Sequence, residues 1–367
     1  MKVLTNNDRI TVPQTVALLI TTILGTGILS LPRNVANAAG SDGWLLVLLG
    51  GVFAFVSSLI VGVLVKKFPQ DTFIEYSQKV LGKILGYPLG IILILYFTIL
   101  TALTVRVFSE VMNAFMLIST PRGFIIFTML LLSVYILRHG IEPIARIGEI
   151  LLPILIVPVV AMYLTAIPRA DFSELLPFLN TPVKTLALGT FQTVYSFFGF
   201  EVLLMVGPYI RSPGRVLWIL LVAIGSITLI YLFVVIIVFA SIGVEDTRIL
   251  LWPSMSIIRT IMAPGGIFER LDALAMALWT IAAFTTINGM YYAGTLAVTH
   301  LTKAKEFKFF ITIMLPWVYL ISIIPENPLD TIRWMQVAGV VGIMIAVIIP
   351  AVILMVSIVR NKGGKTA

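Results

Sequence analysis

Residues 24–29 read Leu24-Gly25-Thr26-Gly27-Ile28-Leu29, and residues 193–201 read Thr193-Val194-Tyr195-Ser196-Phe197-Phe198-Gly199-Phe200-Glu201. Each puts glycine in the middle of a long apolar stretch. The first lies about thirteen residues in, ~20 Å at the α-helical rise and so near a bilayer midplane. Glycine in a helix interior costs about 1 kcal/mol relative to alanine, and it lets another group approach the backbone closely. One such site alone is equally a packing motif, because small residues bring membrane helices together. Two in corresponding positions of two halves are the pattern of discontinuous helices flanking a binding site. Half-helix N-termini there offer free N–H groups to an anionic group, and unwound carbonyls accept from a cation or ammonium. A zwitterion such as an amino acid satisfies both. The candidate ligand contacts from these two stretches are Gly25, Thr26, Gly27, Ser196, Phe197, Phe198, Gly199 and Glu201.

Composition puts these stretches in a membrane. Of 367 residues 59% are apolar and 11% charged, against roughly 45–50% and 25% in soluble proteins, and the mean hydropathy is +1.07. So few charged side chains cannot coat a soluble particle of 40.3 kDa. A soluble enzyme, a disordered chain and a secreted disulfide scaffold are excluded. With no cysteine and only His139 and His300, no catalytic residue, cofactor or metal site is expected. An intramembrane enzyme would need a nucleophile–base pair or a metal set. Stretches of roughly 20 apolar residues fall at ten places: 12–35, 44–65, 87–118, 124–137, 144–167, 183–210, 216–242, 271–301, 309–324 and 335–359. The first is too long and too interrupted for a cleaved signal peptide. Residues 71–86 read as an amphipathic helix on the membrane face, and 253–262 as a short helix outside the bilayer.

Ten spans put both termini on one side. Sixteen lysines and arginines fall on the termini and even-numbered loops and eight on the other side, with Arg106 inside span three. Basic loops face the cytoplasm, so both termini are expected there. The net charge of +8 then needs no nucleic acid, and the bilayer itself is the partner. Five spans per half is an odd number, which inverts one half relative to the other. The expected organisation is a tail at 1–10, a five-helix repeat at 11–167, an extracytoplasmic loop at 168–182, a second repeat at 183–359 and a tail at 360–367.

The ten-span plan and the two glycine stretches resemble the amino acid–polyamine–organocation superfamily with its LeuT-type inverted repeat. Thr11-Val12-Pro13-Gln14, the run from Gly25 through Ser30-Leu31-Pro32, and Phe68-Pro69 are similar to the spore germination permeases, the B subunits of GerA-type nutrient germinant receptors. The resemblance implies an all-α polytopic membrane protein with a 5+5 inverted repeat, helices one and six broken, in the inner membrane of the spore. It also implies a small nutrient ligand, expected to be an amino acid, and receptor A and C subunits as partners. An ion-coupled amino acid transporter needs the same pocket and is the alternative.

Further site residues follow from the resemblance. Tyr96 and Leu100 of span three and Tyr291 of span eight are expected to line the pocket, and Thr285 and Thr286 form a candidate cation site. Proton-coupled members carry a lysine in span five; here 154–167 has none, and Arg146 and Glu149 lie nearer the cytoplasmic end. Glu201 has Phe197 and Met205 at i±4, so its carboxylate is open to a ligand ammonium, to a proton, or to N–H groups of its own half-helix. Arg106 and Glu110, four residues apart, are placed to pair.

Overall fold

The computed structural model describes residues 8–260 and 271–362, without the side chains of Thr26, Arg259, Thr260 and Leu271. Most of the expected N-terminal tail, the last residues of the C-terminal one and the end of the short helix expected at 253–262 lie outside the described residues. Among the described residues fifteen α-helices follow one another. The first half holds α1 (Val12–Ala39), α2 (Gly43–Lys67), a short α3 (Phe73–Leu81), α4 (Lys83–Phe115), α5 (Arg122–Leu137) and α6 (Ile141–Leu164). Span six is α7 (Val183–Thr193) and α8 (Leu203–Val206) joined by 3₁₀ turns, and span seven is α9 (Val216–Ile242). Two short helices, α10 (Val244–Ile249) and α11 (Pro253–Thr260), lead to span eight, α12 (Leu271–Thr302), and span nine, α13 (Phe307–Ser322). Span ten is α14 (Pro328–Ile343), a π-helical turn at Met344–Ile348, and α15 (Ile349–Val359).

Among the described residues six stretches are long and apolar enough to cross a bilayer, and the bent pair in span six makes a seventh. The 16-residue helices α5 and α13 reach only ~24 Å, short of a ~30 Å hydrocarbon core, so ten is an approximate count of full crossings. Val52, Phe124, Val183 and Val340 are 62%, 62%, 81% and 65% exposed, a belt suited to lipid.

Local chemistry fixes the helix starts. Thr11 and Gln14 form a capping box on α1, each side chain taking the other's backbone N–H, with Pro13 in the first turn; this satisfies N–H groups that have no intrahelical partner. The same device, Thr72 with Glu75, starts α3. The amphipathic pattern of α3 is there, but its apolar face does not meet lipid. Phe73, Ile74, Tyr76 and Val80 are buried where α3 packs against α4, α15 and α12. At the opposite end, buried Asp42 accepts N–H bonds from Leu179 (2.7 Å) and Thr181 (2.8 Å), tying the loop before span six to the start of α2. Burial pushes the Asp42 carboxyl up, but the bonds from Thr181, Leu179 and Asn180 outweigh it and hold it below the usual carboxylate range.

Span one departs from its expected break. α1 runs as one helix from Val12 to Ala39. What interrupts it is a side chain: Gly25 N–H donates to Thr286 Oγ1 (3.1 Å), and that hydroxyl donates to Thr21 O (2.9 Å). Thr286 of α12 thus stands inside the i→i−4 ladder, an insertion of the kind that bends helices. Gly25 is required because an added Cβ would overlap Thr286 Oγ1 and stand 2.8 Å from Thr286 Cβ. Span six breaks fully. The segments 183–197 and 200–209 meet at 55°, and Gly199 at the corner has φ +136°, a conformation that favours glycine.

Candidate ligand chamber between spans one, three, six, eight and ten

Where the two glycine stretches face each other, the helices enclose a cavity of about 20 Å³. Thr22 and Ile23 of α1 line it with Leu100 and Thr104 of α4 and with Tyr195, Ser196 and Phe198 of span six. Met290 of α12 and Met335 and Gly339 of α14 complete the wall. This is room for one water and not for an amino acid, so a ligand of that size enters only if side chains or helices move.

Of the expected contacts, Leu100, Ser196 and Phe198 reach this cavity. Gly25 and Gly27 do not line it; they are the places where α1 is gripped by its neighbours. Trp279 Nε1 donates to Gly25 O at 2.8 Å. A Cβ on Gly27 would overlap the Tyr231 hydroxyl and stand 2.7 Å from Ser196 O. Phe197 turns toward α2 and α9, edge-on to Tyr231 with ring centroids 5.3 Å apart. Tyr291 donates to Ile311 O (2.6 Å), which joins span eight to span nine away from the cavity. Thr26 is helical, with its side chain outside the described set.

Glu201 is fully buried. One carboxylate oxygen accepts the Gly199 N–H (2.7 Å) and the other the Tyr96 hydroxyl (2.9 Å). Of the three roles open to it, the bond to its own half-helix is the one occupied, and Tyr96 serves it from span three. Glu201→Gln, which removes the charge from both bonds, is expected to lower stability by roughly 1.5–3 kcal/mol, read as a reduced melting temperature in detergent. Tyr96→Phe, which deletes one bond, should cost less. A loss of ligand affinity with an unchanged melting temperature would instead put the carboxylate on the ligand.

The candidate cation pair is engaged. Thr286 Oγ1 accepts and donates within the α1 ladder, and Thr285 Oγ1 lies 3.1 and 2.9 Å from Ile281 O and Ala282 O of its own helix and 3.4 Å from Thr21 O. Among the described residues no group of three His, Cys, Asp or Glu is arranged to hold a metal ion.

One residue that sequence reading passed over organises the region. Tyr231, in the middle of apolar α9 and fully buried, places its hydroxyl 3.0 Å from Ile23 O and 3.0 Å from Ser196 O, bracing the two glycine stretches together. A lone phenol in a span of otherwise apolar and small residues was the signal for it. A separate, larger cavity of about 1060 Å³ opens at the end of the bundle that carries both termini, walled in part by Asp8, Arg138, Glu142, Tyr292 and Lys308.

Known proteins share this architecture. A family model described as "Spore germination protein" matches residues 9–331. The chain is 31% identical to Spore germination protein YndE of Bacillus subtilis (strain 168), over 98% of this chain and 99% of the other. It is 26% identical to Spore germination protein B2 of the same organism, over 98% of each, and 30% identical to Spore germination protein GerLB of Bacillus cereus, over 94% and 92%. Among solved structures, that of MhsT in complex with L-phenylalanine superposes with a TM-score of 0.69 at 14% identity, covering 94% of this chain and 97% of that one. The fold is therefore the LeuT-type transporter fold.

Proposed function

The chain belongs to the spore germination protein family, and on that premise we propose that it is the membrane subunit of a germinant receptor that binds a small nutrient, an amino acid by its chemistry, in the chamber between the two glycine stretches. The observation that carries this reading is the chamber: in a LeuT-type fold, Thr22 and Ile23 of span one and Tyr195, Ser196 and Phe198 of span six, each beside its glycine stretch, wall one small, mostly apolar cavity. MhsT, which shares the fold, is in complex with L-phenylalanine, and this supports an amino acid here. The excess of basic residues on one side supports cytoplasmic termini in the inner membrane of the spore, with the receptor's A and C subunits as the partners that read the bound state.

A ligand shifts a conformational equilibrium only by its differential affinity for the two states. Moving it uphill further requires coupling to an ion gradient. Span five has no lysine, the residue that proton-coupled members of the resembled superfamily carry there, which favours sensing over concentrative uptake. Purified protein in proteoliposomes, given labelled L-alanine and L-phenylalanine with and without proton and sodium gradients, is expected to show saturable binding without accumulation. Leu100→Trp, which fills the cavity, should remove that binding. Gradient-driven accumulation would make the transporter reading correct.

A further inference from the structure

Span ten covers one side of the chamber. Met335 and Gly339 line it, and its glycines are where α14 lies flat on spans six and three. A Cβ at Gly339 would stand 2.8 Å from Tyr195 Cβ; one at Gly342 would overlap the Phe198 ring and stand 3.0 Å from the Tyr96 hydroxyl. One turn before Met335, Thr331 Oγ1 donates to Glu110 Oε1 of α4 at 2.7 Å. Arg106 Nε donates to that same oxygen, also at 2.7 Å. All three residues are buried.

We propose that Arg106, Glu110 and Thr331 are positioning residues that latch α14 over the chamber, and that release of Thr331 from Glu110 is the step admitting the ligand from the side opposite the termini. The proposal rests on reading the chamber as the ligand site. A buried ion pair by itself says little about stability, because desolvation offsets the attraction. Here its placement is informative. Arg106 and Glu110 are four residues apart on one helix, so the pair stays neutralised however span ten moves. Only the Thr331 bond crosses between helices. Thr331 Oγ1 also lies 3.2 Å from Asn327 O in its own first turn, an acceptor that receives the hydroxyl's hydrogen bond when Glu110 lets go. Neither arrangement leaves the Thr331 hydroxyl or the Glu110 carboxylate without a partner, so release gives up the stronger bond to a charged acceptor but strands no buried polar group, and the latched state stays the favoured one.

The hinge for such a motion is in the same span. Hydrogen bonding widens to the π pattern over Met344–Ile348, and Pro350 follows in the first turn of α15. π-turns and prolines are where helices bend. With glycine at 339 and 342, α14 presents no side chain at these contacts to interlock with Tyr195 or Phe198 as it lifts.

The chain has no cysteine, so Met335→Cys gives a single thiol on the chamber wall, and its reaction with a membrane-impermeant maleimide is measured without ligand. Thr331→Val, similar in size but without the hydroxyl, is expected to speed labelling about 10-fold or more, the shift that follows from losing a hydrogen bond to a charged group. Thr331→Ser should restore the slow rate. A lower melting temperature in Thr331→Val with an unchanged labelling rate would mean a packing role only and overturns the proposal. Rapid labelling of the Met335→Cys chain with Thr331 intact overturns it too. Because labelling needs no ligand, these failures are distinct from failure of the chamber reading, which shows as absence of saturable binding to the parent protein.

Discussion

Gly199→Ala is expected to leave little folded protein in the membrane. At φ +136° an L-residue is strained by about 1–3 kcal/mol, and that is the smaller effect. The new methyl would stand 2.8 Å from Ile23 Cγ1, 3.1 Å from Ile23 N and 3.2 Å from Ile23 Cα. Two of these are backbone atoms of α1, which cannot rotate away as a side-chain tip does. Overpacking of this kind adds about 1–3 kcal/mol, against a total stability of roughly 5–15 kcal/mol. Membrane abundance and detergent melting temperature should fall together. Gly225→Ala, where nothing lies within 4 Å of the added carbon, is the control and should leave both unchanged or slightly raised. Parent-like abundance and melting for Gly199→Ala would show that the corner tolerates a side chain.

Tyr231→Phe should cost about half as much while changing almost no volume. It deletes the hydroxyl whose one proton is shared between Ile23 O and Ser196 O, so one buried hydrogen bond is lost at this point. A buried acceptor deprived of its partner costs about 1–3 kcal/mol, so the two glycine stretches should lose their common brace and the melting temperature should drop by several degrees. The hydroxyl touches two spans at once, so ligand affinity should fall as well. A Tyr231→Phe protein that melts and binds like the parent would show that the brace is incidental.

What sequence could and could not convey is clear at particular residues. The start of α1 was legible from its apolar run, whereas the capping boxes that fix the starts of α1 and α3, Thr11 with Gln14 and Thr72 with Glu75, emerge from the structure although each lies within four residues. The break at Gly199 was legible because a glycine beside a carboxylate suits an unbroken apolar span poorly. The state of span one was not, because the group that enters its ladder, Thr286, comes from 261 residues away from Gly25. The amphipathic period of α3 was read correctly, but a period says which face is apolar and not whether lipid or protein covers it. Met290 and Met335 gave no signal, since an apolar side chain in an apolar helix looks the same facing a cavity, a neighbour or lipid. Tyr291 showed the reverse: a polar tip suggested the pocket, and a carbonyl of span nine satisfied it instead.

The hydroxyl of Thr286 makes the secondary structure of one helix depend on the position of another. While α12 stays in place, Gly25 N–H and Thr21 O are joined through the Thr286 hydroxyl, which accepts from the first and donates to the second. If α12 withdraws by about 1 Å, the 3.1 Å and 2.9 Å links stretch beyond hydrogen-bonding range. Inside a bilayer neither peptide group has water to turn to, so the two must close on each other in a direct i→i−4 bond. A sideways displacement of span eight is thereby coupled to the backbone of span one, two bonds through the Thr286 hydroxyl being exchanged for one direct bond while each α1 peptide group keeps a partner. Amide hydrogen exchange at Gly25 is the local reporter of that conversion: one proton, read in place, records which of two helices owns the bond.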